Sequence, residues 1–207
     1  MSLAVYPGSF DPLTLGHVDI AARATTLFDV VVIGIAHNAA KAGHYLLDAE
    51  ERLALARAST SHLPGVEADI VPGLLADYCR GRGANAIIKG LRNGGDLDAE
   101  APMALLNRDL GAPETVFLTA SPIHAHISSS LVKDVAGYGR DVSALVPPAV
   151  RRALEERLAA EALRPDRGDA RQPERQYDRR SGAPGPVLPG TQPGRFVGAD
   201  HTREDLP

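Results

Sequence analysis

The sequence has no tryptophan and a single cysteine, Cys79, and aromatic side chains make up only 4% of its 207 residues. One thiol cannot build an internal disulfide framework, and such sparing use suits a reducing compartment. Cys79 itself reads as a small buried helical side chain rather than a reactive thiol. No apolar run approaches the roughly 20 residues that a membrane helix needs. The first residues also lack the basic n-region of a signal peptide. The formal charge is only −4, so there is no electrostatic case for nucleic-acid binding. These absences lead to the expectation of a soluble, cytoplasmic protein with neither membrane nor nucleic acid as partner.

The composition divides the chain. Residues 1–163 alternate β-branched and helical patterns with enough apolar content for one ordinary core. From Arg164 to Pro207 the chain is dense in Pro, Gly, Arg, Asp and Gln. That segment cannot bury enough apolar surface to offset its ordering entropy, so residues 164–207 are expected to be a disordered tail. No internal repeat is visible.

Near the start, Leu3-Ala4-Val5 reads as a strand that breaks at Pro7-Gly8. Gly16-His17 then opens a helical pattern through Leu27 and Phe28. This places a helix N-terminus, with unpartnered N–H groups and a positive dipole, at a strand's carboxyl end beside Ser9, Thr14 and His17. Asp29 to Ala36 is a near-continuous β-branched run, as in parallel strands buried on both faces. A polar loop carrying Lys41 follows. Asp48 with Glu51 then makes a capping-box variant for a helix ending near Pro64-Gly65. Val66 to Val71 predicts a strand, Leu74 to Arg82 a helix stopped by Gly83, and Ala86-Ile87-Ile88 a fourth strand. Asp96 is a candidate cap for a helix to Leu110, but Pro102 lies inside it, so that helix is expected to begin later or to kink. Thr115 to Leu118 predicts a fifth strand. A loop from Ser121 to Ile127, a helix opened by Ser128-Ser129-Ser130 and a last helix from Pro147-Pro148 complete the domain.

Alternating strands and helices imply a doubly wound, five-stranded parallel α/β sheet. In such sheets ligands bind at the carboxyl ends of strands near a topological switch point. The loops after strands one, two, four and five should converge there with Ser9 and His17, Lys41, Lys89 and Arg92, and the serine triplet. Three cations, an imidazole, hydroxyls and two helix N-termini suit a polyphosphate. Lys89 and Arg92 follow a buried strand, where an unpaired cation is costly, which points to ligand contact. His37, His44 and His62 are too scattered for a metal site.

Four blocks together go further: Tyr6-Pro-Gly-Ser-Phe-Asp-Pro-Leu-Thr-Leu-Gly-His17, Glu50-Glu51-Arg52, Lys89-Gly-Leu-Arg92 and Ile127-Ser-Ser-Ser-Leu-Val-Lys133. In this order and spacing, over residues 3 to 160, they resemble the bacterial phosphopantetheine adenylyltransferases of the Rossmann-like nucleotidylyltransferase superfamily. The resemblance implies transfer of AMP from ATP to 4′-phosphopantetheine, giving dephospho-coenzyme A and pyrophosphate. It also implies Mg²⁺ arriving with ATP and a homohexamer. His17 would stabilise the α-phosphate in the transition state, and Ser9, Lys41 and Lys89 would meet the acceptor, with Leu75 along its pantetheine arm. Ser9, Phe10, His17, Gly90, Leu91, Arg92, Glu100 and the run His124, Ala125, His126, Ile127, Ser128, Ser129, Ser130 would bind ATP. Where the family tends to read D-F-E-Y-E-x-Q-M, this chain has Asp96-Leu-Asp-Ala-Glu100-Ala-Pro102-Met103, and it carries His124 and His126 where aromatics are usual.

The chemistry is consistent with this. The acceptor phosphate is already an anion near neutral pH, so in-line positioning and charge neutralisation can supply most of the catalysis. Two alternatives remain. One is a superfamily relative acting on nicotinate mononucleotide or a small phosphate alcohol, disfavoured by the Ser-Ser-Ser-Leu-Val-Lys motif. The other is a non-catalytic nucleotide-binding protein on the same fold.

Overall fold

The computed structural model describes residues 1–36 and 45–162. Lys41, His37, His44 and the expected tail lie outside the described residues. The elements alternate: β1 (Leu3–Gly8), α1 (Leu15–Ala24), β2 (Val30–Ala36), α2 (Ala49–Thr60), β3 (Val66–Val71), α3 (Leu75–Arg82), β4 (Ala86–Leu91), α4 (Gly94–Asp109), β5 (Thr115–Thr119), α5 (Ser129–Gly137) and α6 (Pro148–Ala162). The strands form one parallel sheet in the order β3-β2-β1-β4-β5. The chain runs outward from β1 through β2 to β3, then crosses back to place β4 on the other side of β1. The β1/β4 boundary is therefore the switch point.

Alternate residues of the central strands feed two cores. Ala4, Tyr6, Ile33, Ile35 and Ile88 pack with Ile20 and Ala21 of α1, Leu53 and Ala56 of α2, Val132 of α5 and Leu154 of α6. Val5 and Ile87 point the other way, onto Ala76 and Cys79 of α3. The sheet is thus covered on both faces, as the β-branched runs imply. Each fully buried Val or Ile contributes roughly 1.5–3 kcal/mol relative to exposure. Cys79 is buried, and desolvation pushes its thiol up to about 11, which leaves it an inert packing group.

Several boundaries differ from the sequence reading: α1 stops at Ala24 short of Leu27 and Phe28, α2 stops at Thr60 short of Pro64-Gly65, and three others differ for reasons their hydrogen bonding shows. β1 does not break at Pro7-Gly8 but pairs with Gly34 and Ile35 of β2 through both residues. Even-numbered carbonyls of β1 face β2, as Ser2 O accepts from Val30 N at 3.0 Å, and odd ones face β4, as Leu3 O accepts from Asn85 N at 2.7 Å. The N–H that Pro7 lacks would therefore point toward β4, which pairs with β1 only at Ala4 and Val5. The proline costs no ladder bond, and the two strands separate there. β4 likewise runs on through Lys89-Gly90-Leu91, carried by β5. Finally, α4 starts at Gly94, before Asp96 rather than after it. Asn93 is its N-cap, accepting from Asp96 N at 3.1 Å, and Pro102 sits within the helix. Pro102 is exposed, as is most of α4, so the ring meets water rather than a packed neighbour.

Candidate active site

Where β1 and β4 part, the loop after β1 turns into α1. Thr14, 1% exposed, is the N-cap. Its hydroxyl accepts from His17 N at 3.4 Å, and its own backbone N–H donates to His17 Nδ1 at 3.0 Å. A backbone N–H can only donate, so Nδ1 is an acceptor and the proton of the neutral ring sits on Nε2. Burial, and then the Arg92 guanidinium, push the His17 pKa down to about 4. Near neutral pH, His17 is an uncharged imidazole with a single N–H to offer. The Phe10 ring meets it edge-on at 5.1 Å between centroids, and Tyr6 stands at 6.4 Å. Phe10 is buried and holds φ at 47°. Its ring lies over Gly8, where a Cβ would come within 2.9 Å of Cζ.

The loop after β1 is fixed from two sides by buried charges. Arg52 of α2, 3% exposed, donates from Nη1 to Ser9 O at 2.6 Å and from Nε to Asp48 O at 3.1 Å, with its guanidinium 4.3 Å from the centre of the Tyr45 ring. The capping box at the start of α2 is complete, since Glu51 N donates to Asp48 and Asp48 N to Glu51. Asp11, 4% exposed, accepts from the N–H groups of Leu46 at 3.1 Å and Leu47 at 3.0 Å, and pairs with Lys133 Nζ at 2.7 Å.

On the β4 side, both cations of Lys89-Gly-Leu-Arg92 have carboxylate partners on α4, one turn apart. Lys89 Nζ lies 2.9 Å from Glu100 Oε2. Arg92 forks onto Asp96 at 3.0 Å through Nε and 2.9 Å through Nη2, and its backbone N–H adds a bond at 2.8 Å. The Arg92 side chain, with its backbone N–H, holds the Asp96 carboxyl below the usual carboxylate range. Neither cation is unpaired, so the expectation that burial alone directs them to a ligand is corrected: α4 supplies counter-ions, and a phosphate would have to compete with them or join them. Gly90 admits the Tyr6 hydroxyl, since a Cβ there would stand 3.3 Å from it and 3.2 Å from Ile20 Cγ1.

The loop after β5 closes the third side. Asp19 of α1 accepts from Ser121 Oγ at 2.8 Å, Arg23 donates to Thr119 O at 2.7 Å, and His124 Cβ would lie 3.6 Å from a Cβ on Gly16. Ala125 and His126 continue that loop. The Ile127 side chain is buried in the core. Ser128 caps α5, accepting from Leu131 N at 3.2 Å, Ser129 Oγ donates to Pro12 O at 2.8 Å, and Ser130 is exposed. Leu91 is half-buried at the end of β4. Leu75 packs with the α3 core cluster, and it is its neighbour Leu74 that is exposed.

At the carboxyl edge of the sheet, Phe10 and Tyr6 pack on His17, and Arg92 stands close enough to bias its charge. His124 lies beside Gly16 and Ser129 bonds to Pro12, while Lys89 is held by Glu100 and Ser130 is exposed. Sequence reasoning gave no role to Asp11, Arg52 or Lys133, and read Asp96 only as a helix cap. Arg52 and Lys133 stand in the quoted blocks, but nothing in their spacing marks them as reaching the β1–α1 loop. Among the described residues, no group of three or more His, Cys, Asp and Glu could hold a metal.

Residues 5–135 match the model of the cytidylyltransferase-like family. A phosphopantetheine adenylyltransferase of Micrococcus luteus is 51% identical over 156 residues, covering 75% of this chain and 98% of that protein. One from a Nocardioides species is 51% identical over 160 residues, covering 77% and 99%. Among solved structures, a putative nicotinate-nucleotide adenylyltransferase from Vibrio parahaemolyticus superposes with a TM-score of 0.55 over 78% of this chain and 94% of its own, at 18% identity. That last likeness speaks for the fold alone. With half the residues shared along nearly the whole length of the two curated relatives, the chain belongs to the phosphopantetheine adenylyltransferase family within the cytidylyltransferase-like group.

Proposed function

We propose that this chain transfers AMP from ATP to 4′-phosphopantetheine, releasing pyrophosphate and dephospho-coenzyme A, a step of coenzyme A synthesis. The observation that carries the mechanism is the bond from the Thr14 backbone N–H to His17 Nδ1 at 3.0 Å, which leaves a neutral ring one Nε2–H to give to a ligand. Such a group suits the α-phosphate, where charge builds on the non-bridging oxygens as the acceptor phosphate attacks and pyrophosphate leaves. It donates a hydrogen bond without having to give up a proton. No covalent intermediate and no strong base are required. The N-termini of α1 and α5 add fixed positive dipole ends. Lys89 and Arg92 neutralise phosphate charge, in competition with or alongside Glu100 and Asp96, their partners on α4.

In this reading Ser9, Lys41 and Lys89 meet the acceptor phosphate and Leu75, with Leu74, its pantetheine arm. Ser9, Phe10, Gly90, Leu91, Arg92, Glu100 and the segment from His124 to Ser130 meet ATP. Mg²⁺ enters as part of MgATP. The carboxylates nearest the crevice are each committed to a cation on the protein, so the ion fits this site on the substrate's phosphates, where it keeps most of its waters. The proposal extends to a homohexamer, supported by exposed Met103, Leu105 and Leu106 on α4, and to residence in the cytoplasm. No helix of the described residues is long and apolar enough to cross a membrane.

The test is pyrophosphate release from ATP and Mg²⁺ with a panel of acceptors: 4′-phosphopantetheine, nicotinate mononucleotide and small phosphate alcohols. Turnover confined to phosphopantetheine is expected. Turnover only with another acceptor, or ATP binding with no turnover at all, would overturn the assignment.

A further inference from the structure

Two side chains of α5, four residues apart and so on one face of the helix, reach back to the loop after β1. Ser129 Oγ donates to the Pro12 carbonyl at 2.8 Å, and Lys133 Nζ grips Asp11 Oδ2 at 2.7 Å. Asp11 is almost fully buried, and among the described residues it also accepts from the Leu46 and Leu47 N–H groups, so most of its acceptor sites are taken. Asp11 and Pro12 stand just before Thr14, the cap that aims His17, while Ser129 is the first residue of α5. The two contacts therefore fix the spacing between two helix N-termini, each a positive dipole end.

We propose that Lys133 is a positioning residue for the adenylyl transfer: by holding Asp11 it keeps the N-terminus of α5 in register with the turn that carries His17, so that both act on one nucleotide. The proposal rests on the reading of this crevice as the AMP-transfer site. Only differential placement at the transition state accelerates the reaction. A displacement of about 1 Å in a phosphate-positioning element costs on the order of 10²-fold in rate. With the Asp11 side chain 4% exposed and that of Lys133 30% exposed, the pair is largely shielded from water, so its grip is firmer than that of a surface ion pair. A change at Lys133 leaves the bonds from Leu46 and Leu47 to Asp11 in place. The return of the chain into α2 is then undisturbed, and the loss falls on turnover rather than on acceptor binding.

Lys133→Met, Lys133→Gln and Lys133→Arg, made in the full chain, separate this from a role in stability alone. Initial rates of pyrophosphate release are read against phosphopantetheine and ATP concentration, beside thermal melts and the wild type. The Met variant should lose roughly 10- to 100-fold in kcat with the acceptor KM changed by less than about threefold. Gln, which still donates one N–H to Asp11, should lose about three- to tenfold, and Arg should stay nearest the wild type. A folded Met variant with kcat within about twofold of the wild type, whatever its melting temperature, overturns the proposal. So does an acceptor KM that rises by as large a factor as kcat falls. If the Met variant does not fold, the Gln variant decides, and kcat within about twofold of the wild type counts against it. A wild-type protein that releases no pyrophosphate would instead refute the assigned reaction, a failure visible before any variant is read.

Discussion

Replacing His17 with Gln should change the pH dependence of stability in a defined window. His17 has a folded-state pKa near 4 against an ordinary value of 6.5, because its ring is buried and faces the Arg92 guanidinium. Protonation would also set an Nδ1–H against the Thr14 N–H that now donates to it at 3.0 Å. Above pH 6.5 both folded and unfolded chains hold the neutral ring, and His17 contributes no pH dependence. Between 6.5 and 4 the unfolded chain binds a proton that the folded chain refuses, so stability falls as pH falls. The slope is about 1.4 kcal/mol per pH unit, and the whole window amounts to roughly 3 kcal/mol. Below 4 both states are protonated and the penalty is constant. Urea melts of wild type and His17→Gln at pH 7.5, 5.5 and 4.5 read the difference directly, since other titrating groups are common to both proteins. The wild-type advantage should shrink by about 1.4 kcal/mol on going to 5.5 and by about 2.5 kcal/mol at 4.5. An advantage that grows on acidification, or stays level to pH 4.5, would refute a neutral, Nε2-protonated His17.

Other substitutions test the supports of the site. Gly8→Ala puts a Cβ 2.9 Å from Phe10 Cζ, so the ring that packs against His17 must shift. The expected cost is about 1–3 kcal/mol in denaturant melts, with a fall in kcat. Thr14→Val removes the capping hydroxyl but keeps the backbone N–H that fixes the imidazole. It should cost about 1 kcal/mol while the His17 pKa, followed by NMR titration, stays far below 6.5. Arg52→Met leaves the Ser9 and Asp48 carbonyls without their guanidinium donor. It should cost about 2–3 kcal/mol, and the acceptor KM should rise because Ser9 is released.

Much of the fold was legible because the central strands are buried on both faces and their β-branched runs show it without any partner information. The Asp48–Glu51 box, the Gly83 stop and the Ser128 cap could be read because each depends on neighbours within four residues. The end of β1 could not: Pro7 is tolerated only because its missing N–H faces the side from which β4 has already diverged. The start of α4 was misplaced because Asn93 and Asp96 are both good capping residues. What settles Asn93 as the cap is that Asp96 turns back to Arg92. The site residues were gathered by motif, and Asp11, Arg52 and Lys133 stand in the same motifs, but what those charges hold could not be read from them. Asp11 reaches Lys133 across 122 residues and Arg52 reaches Ser9 across 43, distances over which no periodicity informs. Asp96 and Glu100, one helical turn apart, carried the only local hint that α4 would supply counter-ions to Lys89 and Arg92.

The central claim is that His17 acts on the α-phosphate as charge develops there rather than in holding ATP. It is tested most directly by measuring, for His17→Ala, the ATP dissociation constant by calorimetry and kcat by pyrophosphate release with saturating phosphopantetheine. The account predicts a fall in kcat of about 10²–10³-fold with ATP affinity changed by less than about threefold. Equal losses in affinity and turnover would contradict it.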